Sequence, residues 1–207
     1  MKSRTKAAVS FASRPLAIDL CAGSGAATEK LLSLGFSRVC VDTWGQVKST
    51  AKTRVLTADV RTLNPASFPR PTVVWASPPC TEFSRTLMPW LASTAPTPDL
   101  SIVRACVELI EAWKPRVWCI ENVRGAAPWL AELLGPPRQI VSARWYLWGN
   151  FPELDVRIPR SEHTKEGRSS RATRERSRIP EPLAQAFALA CERELRQLEL
   201  PFSRGAL

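Results

Sequence analysis

A short apolar run that ends in two prolines constrains the fold of this chain more than any other stretch. The residues from Thr72 to Ala76 read Thr-Val-Val-Trp-Ala, which is typical of a buried strand. Pro78 and Pro79 follow, and because proline lacks an amide donor and has a fixed φ, the chain must leave the sheet as a stiff loop. Cys80 is therefore expected at the carboxyl end of a strand, where open α/β sheets bind their ligands. A buried structural cysteine is the alternative interpretation.

A second strand-like run, residues 15–20, is followed by a turn with two glycines. Gly23 and Gly25 lack β-carbons, so the backbone there can approach a ligand closely. Residues 28–34 predict a helix closed by Gly35. Strand, glycine turn and helix are typical of the first unit of a nucleotide-binding α/β fold, although the third glycine of the dinucleotide fingerprint is absent.

Two more predicted strands end close to an acidic residue. Residues 38–42 end at Asp42, and residues 55–60 contain Asp59 near their end. A carboxylate in such a position can accept hydrogen bonds from ribose hydroxyls. Each acid alone would be explained equally well as a helix cap or a turn former, but their succession favours a nucleotide site.

The rest of the chain continues the alternation of helices and strands. Apolar residues at helical spacing predict a helix at 99–113, and residues 117–120 predict a strand that is apolar on both faces, as in a parallel sheet. Glu121 follows that strand, so it is expected at the same sheet edge as Cys80. Four further elements are predicted: a short helix within 125–134, two strands joined by a tight turn at 139–144 and 145–148, and a final helix at 180–198.

Length and composition limit the classes of protein. A chain of 207 residues predicts one domain, 1–207, with a catalytic and cofactor core at 13–150, a short basic segment at 151–178 and a helix packed on the core at 179–200. No apolar stretch approaches the ~20 residues of a membrane span, which predicts a soluble, cytoplasmic protein. The six cysteines contain no C-x-x-C pair and there is one histidine, so no metal is expected.

The net charge of +10 indicates a polyanionic partner, and nucleic acid is favoured over an anionic membrane because no basic amphipathic helix is visible. Residues 157–178 hold eight Lys and Arg against three Glu and show no apolar periodicity. Such a stretch is expected to be exposed and mobile. It can neutralise phosphates, which gives salt-dependent affinity with little sequence preference.

Three motifs occur in order on the predicted strand ends: residues 19–25 (Asp-Leu-Cys-Ala-Gly-Ser-Gly), 78–84 (Pro-Pro-Cys-Thr-Glu-Phe-Ser) and 121–123 (Glu-Asn-Val). In this order they resemble the glycine, Pro-Cys nucleophile and Glu-Asn-Val motifs of cytosine-5 DNA methyltransferases. The resemblance covers roughly residues 15–150, and the short chain looks like compact, bacteriophage-encoded members of the family. It implies a Rossmann-like S-adenosylmethionine-dependent methyltransferase fold, with a mostly parallel sheet and helices on both faces.

The resemblance also implies catalytic roles. Cys80 would add to carbon 6 of cytosine and so make carbon 5 nucleophilic toward the methyl group of S-adenosylmethionine, a step that a thiol pKa lowered by nearby positive charge would assist. Glu121 would bind ring nitrogen 3 and the exocyclic amine. Arg144, which matches the second arginine of a later family motif, would hold the base and its carboxylate partner. The residues expected at the cofactor lie at the strand ends: Asp19, Cys21, Ala22, Gly23, Ser24, Gly25, Asp42, Asp59 and Pro79.

Double-stranded DNA is the expected partner, with the target cytosine flipped out because a base inside the duplex cannot be reached. The family usually carries a separate recognition domain where this chain has only residues 151–178, so a target of about four base pairs or fewer is expected. The protein is expected to be monomeric. The residues expected to contact DNA lie on the nucleophile loop and in the basic segment: Ser84, Arg85, Arg168, Arg171 and Arg174.

Several positions depart from the family pattern. Cys21 stands where a phenylalanine usually lies against the adenine, Thr81 replaces a glutamine, and Ser142 replaces the first arginine of the later motif. Arg176 and Ser177 replace the Gly-Asn of the last cofactor motif. Two alternatives stay open: an RNA cytosine-5 methyltransferase of the transfer-RNA type, and a degenerate relative that binds nucleic acid without catalysis. The intact nucleophile and carboxylate argue against the second.

Overall fold

The computed structural model describes residues 14–44, 46–87, 97–158 and 178–199. Seven strands in these ranges form one sheet in the order β3-β2-β1-β4-β5-β7-β6. The strands are β1 (Leu16–Leu20), β2 (Ser37–Asp42), β3 (Thr53–Thr57), β4 (Val73–Ala76), β5 (Val117–Asn122), β6 (Gln139–Val141) and β7 (Trp145–Asn150). The α-helices are α1 (Ala26–Glu29), α2 (Ser101–Trp113), α3 (Ala127–Leu134) and α4 (Glu181–Glu199).

The order of the strands reverses at the centre of the sheet. From β1, the chain moves outward through β2 and β3 on one side, then returns to place β4 and β5 on the other side, all parallel. Within the described ranges, β7 alone runs antiparallel, between β5 and β6. Ligands of open α/β sheets bind outside the carboxyl ends of the strands at such a reversal. The topology confirms the predicted Rossmann-like, mostly parallel α/β fold.

Alternate residues of the strands supply two hydrophobic clusters, one on each face of the sheet. One cluster packs the sheet against α1 and α4, where the rings of Trp75 and Phe187 meet edge to face with centroids 4.7 Å apart. The other cluster packs the sheet against α2 and α3, with contributions from Ile18, Val74 and Ile120. Helices therefore cover both faces and leave the carboxyl edge of the strands for the loops that follow them.

Several elements differ from the predicted bounds; the strand predicted at 139–144, for example, ends at Val141. The helix predicted at 28–34 is the short α1 followed by a 3₁₀ helix at Lys30–Leu34. The third strand ends at Thr57, so the strand predicted at 55–60 is wrong in its bounds; Asp59 instead caps a 3₁₀ helix by accepting the Arg61 N–H at 2.9 Å. The fifth strand extends further than predicted, to its last residue Asn122, because it pairs with β7 as well as β4.

The segment predicted to be basic and exposed, 151–178, differs at its start, because Phe151, Leu154 and Ile158 are buried in the core. Leu154 and Ile158 are buried in the cluster that faces α4. The Gln139 amide both donates to and accepts from the backbone of Leu154, at 2.8 and 2.9 Å. The Ser142 hydroxyl donates to the carbonyl of Ile158 at 3.1 Å and accepts its N–H at 3.4 Å. These side-chain hydrogen bonds take the place of strand pairing. The segment therefore lacks the alternating apolar pattern by which a strand is recognised in a sequence.

Replacing Leu154 with alanine tests this packing. The substitution removes a buried side chain, so we expect the free energy of unfolding to fall by ~2–4 kcal/mol. Asp155→Ala is the matched control, since Asp155 is exposed and adjacent, and it should change stability by less than ~0.5 kcal/mol. Urea unfolding followed by tryptophan fluorescence measures both values. Equal, small effects of the two substitutions would show that the segment is not packed.

Candidate active site

Cys80 lies on a loop that leaves β4 at the carboxyl edge of the sheet. The Ser77 N–H still donates to the Leu20 carbonyl of β1 at 3.1 Å before the two prolines carry the chain away. The Cys80 carbonyl accepts the N–H groups of Phe83 and Ser84, at 3.1 and 3.0 Å, which starts the next 3₁₀ helix. The half-buried thiol is therefore attached to a backbone that is held on both sides.

Two residues at and just beyond the end of β5 hold this nucleophile loop. The buried Asn122 amide donates to the Pro78 carbonyl at 3.0 Å, and its oxygen accepts the Val123 N–H at 2.9 Å. Gly125 lies directly against the carbonyl of Phe83, and a β-carbon at that position would collide with it. The sequence motif included Asn122 without a role, and Gly125 was not identified.

Glu121 is brought beside the loop by strand register. Ala76 of β4 pairs with Ile120 of β5, so Ser77 and Glu121 are neighbours at the ends of adjacent parallel strands. Burial raises the pKa of Glu121 to about 7, and a hydrogen bond from the Ser77 hydroxyl opposes the shift. This carboxyl group therefore changes its protonation state near neutral pH.

The thiol of Cys80 is less acidic than an ordinary cysteine. Burial raises its pKa most, and the negative charge of Glu121 adds to the increase. A hydrogen bond with Ser84 and the charge of Arg144 oppose these effects without cancelling them. The positive charge of Arg144 therefore does not lower the pKa of the thiol below its ordinary value. The sequence analysis had expected a lowered thiol pKa to assist the attack on cytosine.

Arg144 completes the site from the hairpin turn between β6 and β7. Ser142 and Ala143 both adopt left-handed φ angles, 49° and 53°, and the Arg144 N–H donates to the Val141 carbonyl at 3.1 Å. The guanidinium carbon lies 5.2 Å from the centre of the Trp145 ring. The positive charge acts on the pKa values of both the thiol and the carboxyl group described above, so the structure brings the three predicted catalytic residues together.

The glycine turn after β1 is held mainly by β2. The Gly23 N–H donates to Asp42 Oδ2 at 2.8 Å, and the Ala22 N–H donates to the Val41 carbonyl at 3.0 Å. Gly23 has a φ of +52° and no atom lies within 4 Å of the position of a β-carbon there. The outer side of the turn is therefore open, while Gly25, with a φ of +70°, is packed against Val47.

The other residues predicted to bind the cofactor differ in their burial and in their hydrogen bonds. Cys21 has a φ of 56° and packs toward α2. A hydrogen bond with Cys106 has the largest effect on the pKa of its thiol and burial the second largest, and both raise it. Ser24 and Pro79 are exposed. Asp59 is paired with Arg61 through several hydrogen bonds, the shortest 2.6 Å, so its carboxylate is already engaged.

Asp19 is buried beneath the glycine turn and does not face the open side. Its Oδ2 accepts the hydroxyl of Thr28 at 2.7 Å. Burial raises the pKa of Asp19 to about 7, against the hydrogen bond from Thr28 and the positive charge of Arg38. A buried carboxyl group under a turn was not foreseen from the sequence, which suggested direct contact with the cofactor.

Trp44 is an exposed aromatic residue beside Asp42 that the sequence analysis did not identify. It is 69% exposed and stands beside Asp42, whose Oδ1 accepts its backbone N–H at 2.7 Å. The available signal was an aromatic residue two positions after the acid that ends β2.

The residues predicted to contact DNA are only partly described. Ser84 is half-buried on the 3₁₀ helix that follows the nucleophile. The side chain of Arg85 and residues Arg168, Arg171 and Arg174 lie outside the described residues. In the part of the chain that the structure describes, no helix is long and apolar enough to cross a membrane, and no group of three potential ligands could hold a metal ion.

This chain matches a known protein family. The family model described as C-5 cytosine-specific DNA methylase matches residues 16–128, more than half of the chain. The curated proteins give no significant match.

Several solved structures are similar to parts of this chain. One is a prophage-encoded E. coli protein assigned as a DNA modification methyltransferase, with a TM-score of 0.47 and 16% identity over 72% of this chain and 50% of that one. A second is the antibiotic-resistance methyltransferase Kmr, with a TM-score of 0.42 and 15% identity over 67% and 88% of the two chains. A third is the aminoglycoside resistance methyltransferase NpmB1, with a TM-score of 0.36 and 19% identity over 60% and 65%. This chain thus spans half the length of the first.

The buried carboxyl of Asp19 predicts a pH-dependent stability. Because its pKa is about 7 in the folded protein and 3.8 when exposed, the folded chain binds the proton more tightly. Its contribution to the free energy of unfolding is therefore complete below about pH 4 and is lost as pH rises through about 7. We expect the stability of the wild type, relative to Asp19→Asn, to fall by up to ~4 kcal/mol across that interval.

Urea unfolding of both proteins at several pH values between 4 and 8 measures this difference. Asp155→Asn, which removes an exposed carboxylate, serves as the control and should track the wild type. A constant difference between wild type and Asp19→Asn across the range would contradict the buried, raised-pKa carboxyl.

Proposed function

Because this chain belongs to the C-5 cytosine-specific DNA methylase family, we propose that it methylates carbon 5 of cytosine in double-stranded DNA through a covalent adduct of Cys80 with carbon 6. The observation that carries the proposal is the meeting of Cys80, Glu121 and Arg144 at one sheet edge, where the arginine charge acts on both other groups. A thiol beside a carboxyl group that titrates near pH 7 suits covalent catalysis coupled to proton transfer.

The proposed chemistry requires each of these groups. Carbon 5 of cytosine is too weak a nucleophile to take a methyl group unaided. When the Cys80 thiolate adds to carbon 6, the electrons of the double bond between carbons 5 and 6 move toward carbon 5, and a proton from Glu121 at ring nitrogen 3 limits the charge that develops. After carbon 5 has gained the methyl group, it loses its proton to solvent. The bond between sulfur and carbon 6 then breaks and returns the thiolate, and ring nitrogen 3 returns its proton to Glu121.

The number of protons that Cys80 and Glu121 hold together explains how a weakly acidic thiol can act as a nucleophile. Between the pKa of Glu121, about 7, and the raised pKa of Cys80, the two groups together hold one proton. The reactive arrangement, thiolate with protonated carboxyl, contains the same number of protons as the resting pair. Moving that proton toward the base therefore generates the thiolate without a strong external base. Arg144, whose charge lowers the pKa of both groups, stabilises the anion in either arrangement.

The glycine turn and its neighbours fit S-adenosylmethionine, which supplies an electrophilic methyl group to carbon 5 when bound. The outer side of Gly23 is open, and because glycine has no β-carbon, the ligand could approach the backbone there without a steric clash. Asp42, already fixed by the N–H groups of Gly23 and Trp44, keeps a lone pair on each oxygen for ribose hydroxyls. The exposed ring of Trp44 offers an apolar face for the adenine, which compensates for Cys21 at the position of the family's phenylalanine.

DNA recognition is proposed to rely on charge more than on base reading. Residues 159–177 lie outside the described part of the chain, and the basic residues expected to bind phosphates are among them. The net charge of +10 supports binding to the phosphate backbone of a nucleic acid. We therefore expect a short target sequence and a monomeric enzyme acting on a flipped cytosine.

A covalent trap tests the proposed function directly. The protein is incubated with tritiated S-adenosylmethionine and duplexes that carry 5-fluorocytosine, from which the last proton cannot leave. We expect the wild type to form an adduct that survives denaturing electrophoresis and Cys80→Ser to form none, because a hydroxyl is a far weaker nucleophile. Cys191→Ala, which removes a buried thiol on α4, is the matched control and should form the adduct.

Substrate class is decided in the same assay by replacing the duplex with cytosine-containing RNA and mapping the labelled base. Transfer to RNA alone would assign the protein to RNA methylation. Methylated DNA without an adduct would remove Cys80 from the mechanism, and no transfer to either nucleic acid would favour a binding protein.

Ser77 should set the pH dependence of the reaction. Because kcat/KM is expected to be highest while the pair holds one proton, its acid limb should lie near the Glu121 pKa of about 7. Ser77→Ala removes the hydrogen bond that lowers this pKa, so the acid limb should move to higher pH by ~0.5–1 unit. Ser77→Thr keeps the hydroxyl and should leave the limb in place. A limb unchanged in Ser77→Ala would show that Ser77 does not act on Glu121.

A further inference from the structure

Arg38 is a buried arginine that neither the motifs nor the comparisons assign. It is the second residue of β2 and is 6% exposed. A buried guanidinium is costly unless its donors are bonded and its charge is balanced. Its Nη1 donates to the Gly25 carbonyl at 2.7 Å and to Thr28 Oγ1 at 3.3 Å, and its Nε donates to Thr53 Oγ1 at 3.1 Å.

Asp19 lies across Thr28 from Arg38, and the positive charge of Arg38 lowers the pKa of that carboxyl group against the effect of burial. The Thr28 hydroxyl gives its one hydrogen to Asp19 Oδ2 at 2.7 Å, so its oxygen is left to accept from Arg38. All three side chains are at least nine-tenths buried, between β1, β2 and α1. The network therefore lies directly beneath the turn between β1 and α1, with no exposed member.

Two residues of the same strand hold the two sides of this turn. Arg38 and Asp42 are four positions apart on β2 and so point to the same face of the sheet. Asp42 accepts the N–H of Gly23 at 2.8 Å, and Arg38 donates to the carbonyl of Gly25 at 2.7 Å. The acid holds the donor side of the turn and the arginine holds its acceptor side.

The packing around Gly25 leaves little freedom for this end of the turn. A β-carbon at Gly25 would lie 2.8 Å from the side chain of Val47 and 3.3 Å from Arg38 Nη1. The same construction at Gly23 meets no atom within 4 Å. The end of the turn held by Arg38 is thus closely packed, and the end that would meet a ligand is open.

We propose that Arg38 is a positioning residue for the cofactor, which fixes the carbonyl of Gly25 so that the open side of the glycine turn is presented in one conformation. The inference rests on the proposed use of this turn for S-adenosylmethionine. A turn that is already held in one conformation loses less entropy when the cofactor binds to it. Arg38 is therefore expected to act on the affinity for the cofactor and not on the methyl-transfer step.

Arg38→Met tests the proposal, because methionine fills part of the same volume without donors or charge. The Kd for S-adenosylhomocysteine is measured by calorimetry, together with kcat and the KM for S-adenosylmethionine. We expect Kd and KM to rise about tenfold or more, with kcat at saturating cofactor and affinity for DNA changed by less than about threefold. Arg54→Met is the matched control, since Arg54 is exposed on the adjacent strand β3 and should leave all four values unchanged.

Arg38→Lys provides a milder variant in case the methionine variant does not fold. A lysine keeps the charge but lacks the fork that reaches both Gly25 and Thr53, so we expect a rise in Kd of about threefold with a near-normal melting temperature. A lower melting temperature with an unchanged Kd in either folded variant would overturn the proposal, since that is the result of a purely structural arginine. A wild type that does not bind S-adenosylhomocysteine would instead overturn the proposed function itself.

Discussion

The hydrogen bond from Asn122 to the Pro78 carbonyl is the contact on which the candidate site depends. Two successive prolines give the nucleophile loop its direction but remove two N–H groups that could otherwise pair it with neighbouring strands. The loop must then be held through its carbonyl groups, and the buried Asn122 amide supplies the donor. Because Glu121 is the preceding residue, one strand end both carries the carboxyl group and holds the loop of Cys80. Their separation is set by the register of β4 and β5.

The sequence was sufficient for the parts of the structure that follow from strand ends. Apolar runs of four to six residues, each bounded by turn residues, identified the parallel strands, and the carboxyl ends of parallel strands share one edge. This argument placed Cys80 and Glu121 at the same edge of the sheet. Arg144 could not be placed in this way, since a hairpin turn of two left-handed, non-glycine residues has no strong sequence signal. It was identified through resemblance alone.

Several of the features that the sequence missed are ones in which a polar side chain acts against its usual preference. Arg38 is buried although arginine is mostly exposed, and its partners Asp19 and Thr28 come from two other elements. Gln139 and Ser142 bond to backbone in place of a neighbouring strand, so the core segment at 151–158 carries no period-two pattern. In each case the deciding contacts join residues distant in the sequence, and composition or periodicity within a window does not record them.

The two ends of the interval that leads from β7 to α4 are both anchored in the same cluster. Ile158 is buried and bonded to Ser142, and Ile179 is buried just before α4 begins. A stretch of chain that starts and finishes at fixed, buried points can vary in length and composition without altering the core, because the cost of closing a loop grows slowly with its length. The core residues on both sides of positions 159–178 are thus held by contacts that do not involve the residues between them. Changes in the length or composition of that interval would leave Cys80, Glu121 and Arg144 in their positions.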